Sequence, residues 1–351
     1  MAYRITADER ARFKRCRRQW DFASPHRRDL EPVAATESSL RTAVKDALAV
    51  YYYPGTWDWP HELTQSLVHK GLQRSLANRS EADLLSLATT ILDCYDAWAG
   101  IVDDFAPVRI DHDVDGMVPD RHEHERGMST SDGAPVVYTA RVDLLAVDAA
   151  DEYWVVRHLI ADEWGDVDSL LRDEEAVAAC WAWEQDYIGM EIAGTIHNEI
   201  RLSGPLDLPT GPEPDERKQV AQHEPSGGGR SIPQHRRTLR RGLQSDTGID
   251  QRSAGILRRT RIRRGRDEIA SVGAQLADEA LDMLSDPAVY PAPAEHCRWC
   301  EFGGPCLAMM AHREAEPLLA NDFRRHLAES ERKPRLGQAT WGFGRGGAPP
   351  R

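Results

Sequence analysis

Apolar residues recur along the chain with two different periods. In residues 81–105 the apolar side chains stand three or four positions apart, which is typical of one face of a helix. From residue 107 to residue 160 the apolar segments are short and rich in valine, which favours strands. The spacing predicts helices in residues 5–22, 40–53, 81–105, 169–187 and 269–284, and strands in residues 107–114, 136–148, 153–160 and 192–202.

Two regions depart from these periods. Residues 203–255 are rich in Pro, Gly, Gln and Arg, and this composition predicts a flexible basic insert. Residues 320–351 are of low complexity toward the end and predict a flexible tail. We therefore expect one domain over residues 1–319 that is interrupted by the insert and followed by the tail.

The charge is unevenly distributed. The 351 residues include 44 Lys and Arg against 57 Asp and Glu, a net charge of −13, while 12 arginines and only two acidic residues lie between Arg230 and Arg266. A basic segment on an acidic protein still attracts phosphate locally, so Arg236 and Arg237 are candidate contacts to nucleic acid. A solvated basic linker is the alternative interpretation.

The sequence excludes several classes of protein. No apolar run reaches the roughly 18 residues of a membrane-spanning helix, and the polar, basic start does not resemble a secretory signal. Motifs of P-loop NTPases, dinucleotide enzymes and serine hydrolases are missing from the sequence. We expect a cytoplasmic protein with no membrane partner, whose six cysteines are buried, reactive or metal-bound.

Three cysteines near the C-terminal end, Cys297, Cys300 and Cys306, have the spacing C-x2-C-x5-C. Close spacing lets thiolates converge on one metal ion or cluster. Cys16 is the best candidate for a fourth ligand, because the adjacent Arg and Lys residues favour its thiolate form. An iron–sulfur cluster and a zinc ion both accept four thiolates, and three unligated cysteines are a further alternative.

Other candidates have a structural interpretation. Cys94 and Cys180 lie on apolar helix faces, so we expect them to be small core residues. Trp299 is expected to shield the metal centre. Alternation along a strand places His197 and Glu199 on one face, where structural hydrogen bonds are favoured over a role in a site.

The layout of one cysteine near the start and C-x2-C-x5-C near the end resembles the iron–sulfur branch of the PD-(D/E)XK nucleases. AddB-type recombination nucleases and CRISPR adaptation nucleases share this layout. The resemblance covers most of residues 7–319 outside the insert. It implies an α/β fold with a restriction-endonuclease-like mixed sheet, flanking helices, helical elaboration and a four-cysteine metal staple. It also implies a [4Fe-4S] cluster held by Cys16, Cys297, Cys300 and Cys306.

The catalytic motifs of that family are incomplete here. Asp143 matches the first carboxylate of the family, on the expected strand. Arg157 replaces the second acidic residue and Leu159 replaces the family lysine. In the first helix of the core, Arg41 stands at a glycine position and Lys45 stands at the position of a metal-binding histidine.

Phosphodiester hydrolysis in this family requires a divalent ion that is held by several carboxylates. Arg157 would place a positive charge at the metal position, where it could pair with Asp143 or contact a phosphate. The first expectation is therefore a nuclease-derived DNA-binding protein with little or no catalysis.

Two alternatives stay open. An active exonuclease that depends on Mg²⁺ or Mn²⁺ would need a rearranged site in which Asp143 and Lys45 are catalytic, with carboxylates from residues 111–113 or 162–163. A protein-interaction module with a structural metal site would fit the net charge of −13. Its protein partner is not specified by the sequence.

Overall fold

The structure is a computed structural model, and it describes residues 2–33, 40–76, 82–123, 126–202 and 249–326. The helices are α1 (Ala7–Arg15), α2 (Arg17–Ala23), α3 (Leu40–Tyr51), α4 (His61–Leu76), α5 (Ala82–Val102), α6 (Val167–Leu171), α7 (Glu174–Asp186), α8 (Arg266–Leu284), α9 (Gly303–Met310) and α10 (Glu316–Asp322). The strands are β1 (Tyr3–Thr6), β2 (Leu30–Pro32), β3 (Phe105–Met117), β4 (Val136–Asp148), β5 (Tyr153–Ala161), β6 (Ile192–Arg201), β7 (Ile249–Ala254), β8 (Leu257–Arg263) and β9 (Phe323–Arg325).

Seven strands form one mixed sheet. The strand order is β1-β4-β5-β6-β8-β7, and β3 also pairs with β4. The pairings of β1 with β4 and of β5 with β6 are parallel, and those of β4 with β5, β6 with β8 and β7 with β8 are antiparallel. This arrangement confirms the expected α/β class with a mixed sheet and flanking helices.

The chain divides into two compact units. The larger unit comprises residues 40–76, 82–114, 141–202 and 249–269 of the described chain. Its core lies between α3, α4 and α5 and one face of β5 and β6, where Trp154, Val156 and Ile196 are at most 1% exposed. Helix α7 also packs against β5 and β6. Burial of these apolar side chains is what stabilises the unit.

The smaller unit comprises residues 2–33, 115–123, 126–140 and 270–326 of the described chain. Strand β1 pairs with the first residues of β4, and β2 pairs with β9 in a separate two-stranded sheet. Phe22, Phe302 and Phe323 form the centre of an apolar cluster in this unit. The ring of Phe302 lies 5.1 Å from that of Phe22 and 4.8 Å from that of Phe323, within the usual range for aromatic pairs.

Two predicted helices are each divided in the structure. Residues 5–22 form the end of β1 followed by α1 and α2, because Cys16 takes an extended conformation with φ −159°. Residues 169–187 include parts of α6 and α7, because the Asp173 carboxylate accepts the backbone N–H of Ala176 and caps α7. The bounds of β4 are those predicted from the sequence.

The borders of the insert and of the tail were wrong. Residues 249–254 form β7, so this end of the expected insert belongs to the sheet, while residues 203–248, with Arg236 and Arg237, lie outside the described residues. The expected tail begins inside α10 and continues through β9.

The basic hairpin of β7 and β8 is not a solvated linker. Each arginine of this hairpin and Arg264 after it binds a carboxylate. The pairs are Arg252 with Asp250, Arg258 with Glu199, Arg259 with Asp103, Arg261 with Asp148, Arg263 with Glu152, and Arg264 with Glu268. No helix in the described parts of the chain is both long and apolar enough to cross a membrane.

Candidate functional site

A pocket of about 1030 Å³ opens in the larger unit. Its walls come from α3, from the middle of β3 and β4, from the C-terminal ends of β5 and β6, and from the segment between β5 and α7. This volume is at the upper end of the range for ligand sites, roughly 300–1,000 Å³. Asp143 and Lys45, the two residues that the sequence suggests for a rearranged catalytic site, both line it.

Lys45 lies directly against Asp143. The Lys45 Nζ is 3.2 Å from Asp143 Oδ2, and the backbone N–H of His158 donates to the same oxygen at 2.8 Å. Burial raises the pKa of the Asp143 carboxyl, but Lys45, His158 and Arg157 outweigh this effect and hold the pKa below its usual value. Asp143 is therefore an ionised carboxylate whose charge is balanced by an ammonium group.

Arg157 does not pair with Asp143, as its position in the motif had suggested. Its guanidinium is 2.6 Å from Asp173 and 2.7 Å from Glu175, at the start of α7. Burial opposes the charge of Arg157, but Asp173, Glu175 and Asp143 outweigh it and raise its pKa. Arg157 is therefore paired with two carboxylates, and because its charge is already neutralised it is a poor contact for phosphate.

Two more carboxylates that line the pocket are each paired with an arginine. Asp111 pairs with Arg141, and Glu199 accepts two hydrogen bonds of 2.6 Å from Arg258. The backbone of Asp111 lies in the left-handed region with φ 46°. Such conformations cost roughly 1–3 kcal/mol and concentrate at functional sites, although Asp tolerates them better than most residues.

Two histidines lie next to the pocket carboxylates and are uncharged. Burial lowers the pKa of His158 to about 4 and that of His197 to about 4. His197 Nε2 is 3.1 Å from the hydroxyl of Thr195, within the β6 strand. Glu199 on the same strand belongs to the pocket, whereas His197 is fully buried and engaged in a structural hydrogen bond.

The four candidate cysteine ligands all belong to the smaller unit. Cys16 is buried, Cys300 and Cys306 are partly buried and Cys297 is exposed. Burial raises the pKa of the Cys300 thiol, and the neighbouring groups that raise it further include Cys16 and Cys297. The guanidinium of Arg18, two residues after Cys16, lies 3.7 Å from Cys306 Sγ. The two ends of the sequence pattern are therefore neighbours within this unit.

Four cysteine thiols are the right chemistry for a thiolate-bound centre. Within the described residues, no three His, Cys, Asp or Glu side chains are arranged to bind a metal ion. Residues next to Cys16 and Cys297 in the sequence carry buried polar atoms without a hydrogen-bond partner, on Arg17, Arg18, Gln19 and His296. Unsatisfied buried groups are costly, and acceptors supplied by a bound group would satisfy the N–H donors among them.

Burial decides the expectation for the two remaining cysteines. Cys94 and Cys180 are 1% and 0% exposed, which confirms them as core residues. Trp299 is 66% exposed, and its shielding of a bound metal centre stays a prediction.

Sequence reasoning missed several residues of the pocket wall. Trp164 follows β5 in a segment without apolar periodicity, and Arg172 and Asp173 lie within the predicted helix of residues 169–187, where no motif marked them as site residues. Arg258 was hidden in the supposed linker.

Comparison with known proteins adds little. No protein-family model and no curated protein matches the chain. One solved structure, described as "Crystal structure of SSO0001", has 10% sequence identity and a TM-score of 0.29 over 75% of this chain and 91% of its own. A TM-score of that size supports neither a shared fold nor a shared function.

Proposed function

We propose that the chain is a nuclease-derived, DNA-binding protein with little or no catalysis, of the iron–sulfur PD-(D/E)XK type. One observation carries the proposal. Four carboxylates that line the pocket each bind their own side-chain cation. The pairs are Asp143 with Lys45, Asp173 with Arg157, Asp111 with Arg141, and Glu199 with Arg258.

This pairing works against metal catalysis. A magnesium ion is held by carboxylate oxygens and waters in a near-octahedral shell, and the protein must leave those oxygens available. Here the ammonium group of Lys45 is paired with Asp143. A metal ion that displaced this group would leave Lys45 without its carboxylate partner. Hydrolysis without the metal would lack both the polarised phosphate and the activated water.

Three cationic side chains at the pocket are each paired with a carboxylate but, unlike Arg157, are exposed enough to contact a phosphate backbone as well. The side chains of Arg41, Lys45 and Arg172 line the pocket and are 50%, 43% and 76% exposed. Phosphate contacts of this kind position nucleic acid without reading its sequence. They also make affinity fall steeply as salt concentration rises.

The test is fluorescence anisotropy with labelled single- and double-stranded DNA across a range of salt concentrations. We expect affinity for at least one of them to fall about tenfold or more between 50 and 200 mM salt. Binding that is absent, or that is independent of salt, would contradict the proposal and favour a protein-interaction module instead.

An active nuclease dependent on Mg²⁺ or Mn²⁺ is the second candidate, and a specific observation favours it. Carboxylates outnumber lysines and arginines among the lining residues, and Lys45 stands 3.2 Å from Asp143, where an ammonium could stabilise developing charge. If this candidate is correct, DNA is cleaved in the presence of the metal, and cleavage disappears in Asp143→Ala while the variant stays folded.

The proposal includes a [4Fe-4S] cluster on Cys16, Cys297, Cys300 and Cys306. Its support is the co-location of these cysteines in one unit and the unsatisfied donors beside them. When bound, such a cluster would join the two ends of the chain. Iron, sulfide and zinc analysis of anaerobically purified protein tests this part of the proposal. We expect four irons per chain, whereas stoichiometric zinc would show that the cysteines bind a zinc ion instead of the cluster.

A further inference from the structure

Trp164 and Arg201 carry hydrogen-bond donors that no acceptor satisfies. Trp164 lines the pocket, and its buried indole Nε1 has no hydrogen-bond partner in the described chain. The same holds for the buried Nε of Arg201. The guanidinium carbon of Arg201 lies 4.6 Å from the centre of the Trp164 ring. The two orphaned donors therefore belong to side chains in direct contact.

Arg201 differs from the other arginines of this region. Arg258, Arg259 and Arg264 each bind a carboxylate, whereas Arg201 forms no ion pair within the described residues. Its contact with the Trp164 ring stabilises a cation without neutralising it. Arg201 thus keeps an unneutralised positive charge against Trp164, a residue of the pocket wall, while the lysines and arginines that line the pocket are already paired.

The arrangement is held in place by the protein itself. Arg201 ends β6, and its backbone N–H donates to Ile256 at 2.9 Å. After Trp164, the backbone N–H of Gly165 donates to Glu199 at 3.1 Å, and its carbonyl accepts from Arg258. The backbone that carries both side chains is therefore fixed by the protein, which lowers the entropy cost of binding a ligand there.

We propose that Trp164 and Arg201 form a subsite for one phosphate of the nucleic-acid backbone at the wall of the pocket. An anionic oxygen would accept the indole N–H and a guanidinium N–H, and charge-assisted bonds of this kind are the strong ones. The subsite rests on the proposed DNA-binding function and specifies which residues contact phosphate. It replaces Arg157, which is paired elsewhere.

One neighbouring charge opposes the subsite. Glu163, directly before Trp164, is exposed and lines the pocket. Its negative charge lowers the local potential that phosphate experiences. Removing the charge of Glu163 should strengthen DNA binding, whereas the changes at Arg201 and Trp164 should weaken it.

The experiment measures anisotropy of one labelled oligonucleotide against wild type, Arg201→Gln, Trp164→Phe and Glu163→Gln. Arg263→Gln is the matched control, because it removes the same charge from an arginine that is 57% exposed and paired with Glu152. We expect Arg201→Gln to weaken binding by about tenfold or more and to lower the salt slope by about one. Trp164→Phe keeps an aromatic ring and loses the N–H donor, so affinity should fall by roughly twofold to tenfold with an unchanged slope.

The outcomes separate this subsite from the function on which it rests. If wild type binds with a steep salt dependence but Arg201→Gln behaves like Arg263→Gln, the subsite is wrong and the DNA-binding proposal stands. If wild type does not bind, both fail. Arg201→Lys keeps the charge and should keep the salt slope, so a fall in its slope would indicate misfolding, which thermal melting of each variant checks independently.

Discussion

Replacing Lys45 by methionine removes the ammonium group that balances Asp143 and keeps most of the side-chain volume. Lys45 is 43% exposed and Asp143 is 18% exposed, so the pair is intermediate between a surface and a buried ion pair. Surface pairs contribute about 0.2–1 kcal/mol, and loss of one partner from a buried pair costs about 3–5 kcal/mol. With the discount for solvent screening at Lys45, we expect a loss of about 1–2 kcal/mol.

The assay is urea unfolding at pH 7 of wild type, Lys45→Met, Asp143→Asn and the double variant. The double-mutant cycle isolates the coupling between the two side chains from their separate contributions. Asp143 also accepts the backbone N–H of His158, so Asp143→Asn has a cost of its own. A coupling energy below about 0.3 kcal/mol would refute the ion pair, since that is the error expected for independent sites.

Three further predictions concern stability and the metal centre. The pKa values of His158 and His197 lie at about 4 in the folded protein, below the ordinary 6.5. The unfolded chain therefore binds more protons in this window, and the free energy of unfolding should fall by up to a few kcal/mol as pH drops from 6.5 to 4; a flat denaturation profile would contradict this. Arg259→Met breaks a pair whose side chains are 5% and 0% exposed and should cost about 3–5 kcal/mol in urea unfolding, whereas a cost below about 1 kcal/mol would mean the pair is solvated. Cys16→Ser should lower bound iron in anaerobically purified protein, while Cys94→Ser, at a core position, should leave it unchanged; equal iron in both variants would exclude Cys16 as a ligand.

Periodicity located the elements whose burial is regular. Strand β4 alternates buried and partly buried residues over most of its length, so its bounds follow from the sequence. Helices α1 and α2 are separated by one extended residue, Cys16, and such a break leaves the spacing of apolar residues in the sequence unchanged. A backbone conformation set by one residue is not visible in a hydrophobic pattern.

The hairpin of β7 and β8 was missed for a different reason. A run of arginines is typical of a solvated segment, and what makes it a strand pair here is a set of acidic partners far away in the sequence. Arg259 binds Asp103 and Arg261 binds Asp148, which lie more than 100 residues earlier. Ion pairs between residues so far apart in the sequence can be identified only once the fold is known.

The candidate site was only partly accessible from the sequence. Motif spacing brought Lys45 and Asp143 under consideration together, and the structure places them in contact. The partners of Arg157 were not foreseen, because Asp173 reaches it from the start of α7 rather than from its own strand. Trp164 and Arg201 lie outside any motif and meet only in the folded unit.

The central claim is that this protein binds DNA without cutting it. One gel experiment tests it most directly, with anaerobically purified wild type and Asp143→Ala mixed with labelled single- and double-stranded DNA in Mg²⁺ or Mn²⁺. A native lane should show a shifted band with both proteins, and a denaturing lane should show intact DNA. Metal-dependent cleavage by wild type that Asp143→Ala abolishes would contradict the account and establish a working nuclease site around Asp143 and Lys45.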